Sequence, residues 1–552
     1  MQTSEPQQKQ RRVAAAPVHW ADETAAKVIR EKGDKDLYTC ASGITPSGTV
    51  HIGNFREIIS VELVVRALRA LGKKVRFIYS WDDYDVFRKV PENMPKRDEL
   101  QKYLRFPITM VPDPWERNES YARHHEVDVE TALPLVGITP EYLYQAENYR
   151  ASKYAAGIRK ALEKREALKN ILDKFRDEEH KIQGDWWPVS VFCDKCNRDE
   201  TGIDSWNGEW ELSYHCEACG NKETVDLRNT GSVKLVWRVD WPMRWDYEKV
   251  DFEPAGKDHH SRGGSFDTAR HTCKEVYGWD APVTFRYDFI GIKGTPGKMS
   301  SSKGKVIDLP DVLKVYTPEV ARYLFAGTKP GSEFTISFDL DVIKIYEDYD
   351  KTERIAWKLE AAKDEGTYLW QKRIYEFSQV NTDENGKPAM PGAAPYQIPF
   401  RHLCNLIQIA DGDINKALAN LGDDAPVPNE TQLQALGRRA ACAKYWIDEC
   451  APEDFRFKLK SSGEEPSSQL SAAEKEAVAA LRDKVIARVE TFTDDKSCAE
   501  AIYRIAEEQN MEAKALFRTA YQALIGKDQG PRLANFLRSI GKERLLGILA
   551  GY

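Results

Sequence analysis

Two short segments far apart in the chain carry residue types suited to handling phosphate: Thr45-Pro-Ser-Gly-Thr-Val-His-Ile-Gly-Asn54 and Lys298-Met-Ser-Ser-Ser-Lys-Gly304. Ser47 and Gly48 permit a tight turn, and His51 stands where a helix begins, so free backbone N–H groups and the helix dipole favour an anion there. Gly53 leaves room for a nucleotide against the backbone. The second segment, with Lys298, Met299, Ser300 and Ser301, lies among Gly291, Gly294, Gly297 and Gly304. A lysine on such a loop can follow charge as it develops on phosphate. The pair predicts two halves of one ATP site, with His51 and Lys298 as the catalytic candidates.

A third group is cysteine. Cys193-x-x-Cys196 and Cys216-x-x-Cys219 are separated by nineteen residues, the spacing of a tetrahedral zinc ribbon, and Gly220 suits the turn after the second pair. Four thiolates close the coordination shell, so the predicted zinc is structural and His215 a bystander. The remaining six of the ten cysteines have no pairing pattern, which suits a reducing compartment.

Such residues need elements to position them. Leu37 to Gly43 reads as a strand, Phe55, Ile58, Val61, Val65 and Leu68 recur at helical spacing, and Val75 to Trp81 reads as a buried strand. This βαβ start predicts an α/β fold with a doubly wound parallel, Rossmann-like sheet. The stretch 91–232, with helical patterning from Glu141 to Phe175, reads as an insertion that includes the ribbon at 190–222. Val233 to Val239 and Val283 to Ile290 are expected to resume the sheet, with a helix start at Arg262-Gly-Gly-Ser265 between them. Beyond Ile345 strand signals fade, and an all-α C-terminal bundle is expected. The domains expected are a tail at 1–20, a catalytic domain at 21–340, a helical connection and linker at 341–395, and a helical domain at 396–552.

Of 552 residues, 41% are hydrophobic and 30% charged, an ordinary globular composition. No run approaches the roughly 20 apolar residues of a membrane span, and the N-terminal twenty lack a signal-peptide apolar stretch, so a cytoplasmic protein is expected. A net charge of -7 excludes binding nucleic acid through bulk positive charge but leaves local basic surfaces open.

The two phosphate segments resemble the HIGH and KMSKS signatures of class I aminoacyl-tRNA synthetases. Cys40-Ala-Ser-Gly-Ile-Thr-Pro-Ser-Gly48, Trp81-Asp-Asp-Tyr-Asp85, Trp237-Arg-Val-Asp-Trp-Pro242 and Gly256-Lys-Asp-His-His-Ser-Arg-Gly-Gly-Ser265 resemble the class I lysyl-tRNA synthetases in particular. Asn54 replaces the second histidine of the first signature, and Ser301 the second-last lysine of the other. Asn54 still offers a hydrogen-bond donor, and Lys298 takes the main phosphate role.

The resemblance implies that lysine and ATP, with Mg2+, form lysyl-adenylate, and that the lysyl group then passes to the 3' end of tRNA(Lys). A lysine pocket calls for acids at its ends and aromatic walls between. Gly43, Thr45, Asp82, Asp83, Asp85, Trp237, Asp240, His259 and Tyr287 are the substrate candidates, with Asp258 beside the nucleotide. The resemblance also makes the C-terminal helices an anticodon reader, for which Arg438, Arg439 and Tyr445 are contacts unless they merely form a solvated face. The alternatives are a class I synthetase for another amino acid and a non-catalytic zinc-ribbon RNA-binding protein.

Overall fold

The computed structural model describes residues 18–92, 94–295, 306–419 and 428–552. Lys298, Met299, Ser300 and Ser301 lie outside them. Helix α1 (Trp20–Lys32) precedes strand β1 (Leu37–Ile44), helix α2 (Ile52–Ala70) and strand β2 (Lys74–Trp81). Strands β1 and β2 pair in parallel with Gly43 opposite Ser80, and β3 (Glu141–Tyr144) extends the sheet beyond β2, again in parallel. On the other side Phe252 forms parallel bridges to both Cys40 and Val283, and leads into β4 (Ala255–Gly256), which pairs with β5 (Arg286–Tyr287). The order β3-β2-β1-β4-β5 is that of a doubly wound sheet. Its direction of winding reverses between β1 and β4, where such sheets open a crevice at their carboxyl ends.

Two sequence expectations are corrected. The run Val233 to Val239 does not resume the sheet: Val233–Leu235 pairs antiparallel with Val189–Val191 and helix α4 (Trp237–Glu248) begins two residues later, while helix α3 (Tyr121–Ala132) lies upstream. A short continuous apolar run does not distinguish a strand from a buried helix start. Likewise Glu141–Tyr144, placed at the head of a helical stretch, is the third strand of the main sheet, and helices follow it at Gln145–Arg150, Ala155–Glu163 and Arg165–Asp173. Helix α5 (Ser265–Thr272) begins where the two glycines marked a helix start.

The chain divides into two compact units, one of residues 1–312, 321–336 and 352–390, the other of 313–320, 337–351 and 391–552. In the first, α2 is buried along most of its length, including Arg56, Glu62 and Arg66. The Glu62 carboxylate receives both Arg66 and Arg322, and these guanidiniums also donate to the carbonyls of Gln379, Val380, Phe377 and Val136. Burial alone would raise the Glu62 pKa; the two arginines bring it below the usual range instead. The described residues of the second unit hold helices and no strand. Tyr346 stacks on Phe400 at 3.9 Å, and Arg439 lies over Tyr346 while donating to both oxygens of Asp350 at 2.8 and 2.6 Å. Arg439 is thus a buried strut of this unit and not a surface contact for an anticodon; Arg438 and Tyr445 remain more exposed.

Glu62→Ala leaves two buried arginines without their counter-charge. Removing one member of such a group costs about 3–5 kcal/mol. A thermal melt should show the first unit unfolding several degrees earlier; an unchanged melting temperature would mean that the backbone carbonyls suffice.

Candidate functional site

The crevice at the carboxyl ends of β1, β2, β4 and β5 is a cleft of about 400 Å³. Its floor follows from close strand packing: a Cβ on Gly43 would stand 2.7 Å from the Ser80 carbonyl oxygen, so only glycine lets the ends of β1 and β2 approach this closely. At the start of α2, His51 is the N-cap. Its Nδ1 accepts from the Asn54 N–H at 3.3 Å, and the Asn54 side-chain oxygen accepts from the His51 N–H at 3.2 Å. This reciprocal capping box explains what Asn54 does in place of histidine. A backbone N–H can only donate, so Nδ1 is the ring's acceptor and the neutral imidazole carries its proton on Nε2. The Asn54 amide likewise keeps its NH2 as a donor.

Of the sequence candidates, Gly43, Thr45, His51, Gly53, Asn54, Asp82 and Trp237 line the cleft, as do Asp258, His259 and Tyr287. Ser47 and Gly48 form the bend before α2, outside the lining, and the Ser47 carbonyl accepts from the Tyr121 hydroxyl of α3 at 2.9 Å.

Three predicted acids do not reach the cleft. Asp83 accepts from the Ala146 N–H at 2.8 Å, capping the helix after β3, and its burial pushes its pKa up to about 7. Asp85 is paired with the buried Lys234 and accepts from the Thr45 hydroxyl. Asp240, inside α4, accepts from the Tyr149 hydroxyl and pairs with Arg244 at 3.1 Å. The alternating geometry around a strand end sends neighbouring side chains to different places, so the Trp81-Asp82-Asp83-Tyr84-Asp85 cluster contributes Asp82 alone.

Two carboxylates that the sequence reading passed over complete the cleft. Glu57 accepts from the Ser42 hydroxyl at 2.8 Å, the Gly43 N–H at 3.3 Å and the Tyr287 hydroxyl. Glu253, 8% exposed, accepts from the indoles of Trp241 and Trp245. Burial raises the pKa of both, Glu253 to about 7, although the hydrogen bonds oppose it. Asp82 has Arg244 at 2.7 Å and Asp288 has Lys257 at 2.8 Å, but Glu57 and Glu253 are held by neutral donors only among the described residues. Glu57 falls three and four residues after Asn54 and Gly53, on one helix face, a spacing that identifies it. Glu253 had no such signal, because its strand forms only an isolated bridge and a two-residue ladder.

In the ribbon, Thr201–Trp206, Glu211–Cys216 and Lys222–Asp226 form an antiparallel sheet, and the four cysteine sulfurs lie within 4.8 Å of one another. The separations Cys193–Cys219 and Cys196–Cys216 are 3.7 and 3.6 Å. These are far longer than a disulfide bond and close to the edge, about 3.8 Å, of a tetrahedron with ~2.3 Å metal–sulfur bonds. Backbone N–H groups of Lys195 and Cys196 point at the Cys193 sulfur, as metal-binding knuckles require. His215 instead bonds Asp204 at 2.6 Å.

One chain thus carries a sheet with its crevice at a strand-order reversal, a capping histidine at the helix start and a four-cysteine insertion. The family profile described as tRNA synthetases class I (K) matches residues 18–381. The chain belongs to that family. It is similar over 536 residues to the lysine–tRNA ligase of Treponema pallidum (strain Nichols), with 56% identity covering 97% of this chain and 99% of the relative. The lysine–tRNA ligase of Borreliella burgdorferi is 51% identical over 97% of this chain and 99% of its own length, and that of Thermococcus kodakarensis 42% identical over 95% and 98%. As a class I tRNA synthetase the chain is an aminoacyl-tRNA ligase. No described helix of this class I chain is long and apolar enough to cross a membrane.

The cysteine cluster generates a direct check. Titration of metal-free protein with Co2+ should give the intense thiolate charge-transfer and tetrahedral ligand-field bands of one ion per chain, lost in Cys216→Ser. Octahedral-type weak bands would show that the four sulfurs do not act together.

Proposed function

We propose that this chain charges tRNA(Lys) with lysine: lysine and ATP give lysyl-adenylate and pyrophosphate, and the lysyl group passes to the 3'-terminal adenosine of the tRNA. The observation that carries this reading is the pair Glu57 and Glu253, carboxylates kept partly desolvated in the cleft, held by neutral donors among the described residues and set beside Trp237 and Trp241. An amino acid with two ammonium groups on an apolar stem offsets that arrangement. A glutamate side chain would add a further negative charge. The names of the curated relatives support the same substrate.

In this reading the attack of the lysine carboxylate on the α-phosphate needs no protein nucleophile. The N-terminal N–H groups of α2, the His51 Nε2–H and the Asn54 amide face the phosphates. Asp258 and His259, beside Gly256 at the end of β4, hold the adenosine. Lys298, by its place in the second signature, supplies positive charge to the phosphates, with Met299, Ser300 and Ser301 following it in sequence. Mg2+, when bound with ATP, neutralises phosphate charge and needs few protein ligands. Cys193, Cys196, Cys216 and Cys219 would hold a zinc ion with no open position, which fits a structural role. The helical second unit would read the anticodon, and the reaction belongs in the cytoplasm.

ATP–pyrophosphate exchange with each of the twenty amino acids, with and without total tRNA, tests the assignment. Exchange should appear with lysine alone; exchange with another amino acid would overturn it.

The raised carboxylates add a pH signature. An acid near pKa 7 is neutral below that value and loses its hold on an ammonium, so kcat/KM for lysine should fall as pH drops below about 7. Glu253→Gln should remove that inflection while leaving kcat/KM lower at pH 8. A profile unchanged by the substitution would exclude Glu253 as the titrating group.

A further inference from the structure

Lys234 is an unusual residue for its position. It lies in the short strand Val233–Leu235, opposite Ser190 of the antiparallel strand that runs on to Cys193, and is only 7% exposed. A buried lysine needs a partner, and its partner is Asp85. Asp85 in turn accepts from the Thr45 hydroxyl at 2.9 Å, and Thr45 lines the cleft just beyond β1. A chain of three side chains therefore runs from the base of the cysteine ribbon to the cleft.

The protons along it are determined by chemistry. A hydroxyl has one proton to donate and two lone pairs. An ionised carboxylate only accepts, so the Thr45 proton is committed to Asp85, and what the oxygen has left is acceptor capacity. Were Asp85 neutral, it could donate to Thr45 and the hydroxyl could turn its own proton toward the cleft. Burial alone would favour that neutral form; the Lys234 ammonium and its hydrogen bond reverse the balance and hold the Asp85 carboxyl below its ordinary range.

We propose that Lys234 is a positioning residue for substrate selection: through Asp85 it makes the Thr45 hydroxyl a fixed hydrogen-bond acceptor toward the ammonium group of the bound amino acid. Lys234 touches no substrate. This rests on the lysine-charging reading, and it extends it by assigning the acceptor polarity of Thr45 to a residue outside the cleft. A second path from the same strand supports a positioning role, since the Leu235 N–H donates to the Tyr149 hydroxyl at 3.3 Å and Tyr149 leads through Asp240 and Arg244 to Asp82.

The test is a double-mutant cycle in the full-length protein, read by lysine-dependent and ATP-dependent exchange kinetics in the presence of tRNA. Lys234→Met and Thr45→Val should each raise the lysine KM about tenfold, the size of one hydrogen bond to a charged group, with the ATP KM unchanged. Combined, they should cost little more than either alone, because both remove the same interaction. Lys234→Arg should restore most of the affinity. Since Lys234→Met strands a buried carboxylate, the charge-free pair Lys234→Met with Asp85→Leu is measured beside it and should show the same lysine-specific rise. Multiplying effects, an unaltered lysine KM, or parallel rises for lysine and ATP would overturn the assignment while lysine charging by the wild type stands. If the wild type itself shows no exchange with lysine, the functional reading falls, and this inference with it.

Discussion

The constraint on which the rest of the structure depends is charge held in a half-dry cleft. The parallel sheet brings the ends of four strands to one crevice, and carboxylates from α2 and from the approach to β4 converge there. Five buried cations described in the first unit are already committed: Arg66 and Arg322 to Glu62, Arg56 to five backbone carbonyls, Lys234 to Asp85 and Arg244 to Asp82 and Asp240. Among the described residues, Glu57 and Glu253 have only hydroxyl, amide and indole donors. Fixed dipoles of this kind lower the cost of a buried carboxylate without cancelling its charge, so the site stays prepared for a cation from outside.

Arg56 shows how the framework holds this arrangement. It sits one turn into α2 and donates to the carbonyls of Asp288, Phe289, Lys329, Pro330 and Ser332. Asp288 and Phe289 directly precede the strand Ile290–Ile292, which pairs in parallel with Phe334–Ile336. The helix that presents His51 and the strand that leads toward the lysine-rich segment are therefore tied through one guanidinium. Five carbonyls accept from the two terminal nitrogens of a single planar cation, a spread that the three donors of a lysine ammonium could not match.

The part of the cleft at the start of α2 was legible in the sequence because it is local. A turn with Ser47 and Gly48, a histidine at a helix start and a nearby glycine are encoded within ten residues, as is each Cys-x-x-Cys knuckle. The opposite side of the cleft was less legible because it is assembled from strand ends. Asp82, Asp83 and Asp85 are neighbours in sequence, but one faces the cleft, one caps a helix and one serves Lys234. The run Val233 to Val239 misled for a related reason: its apolar residues belong to an antiparallel pair and then to the buried face of α4. The strand that does join β1 was hidden in Phe252–Gly256, too short and too acidic to show a period.

The central claim is that this cleft is built for a cationic side chain. Calorimetric titration of the protein with two non-hydrolysable sulfamoyl-adenosine analogues, one carrying lysine and one carrying norleucine of nearly the same shape, measures the value of the side-chain ammonium alone. The account predicts at least about hundredfold tighter binding of the lysyl analogue, as expected for a charged group paired in a desolvated site. Equal affinities would contradict it.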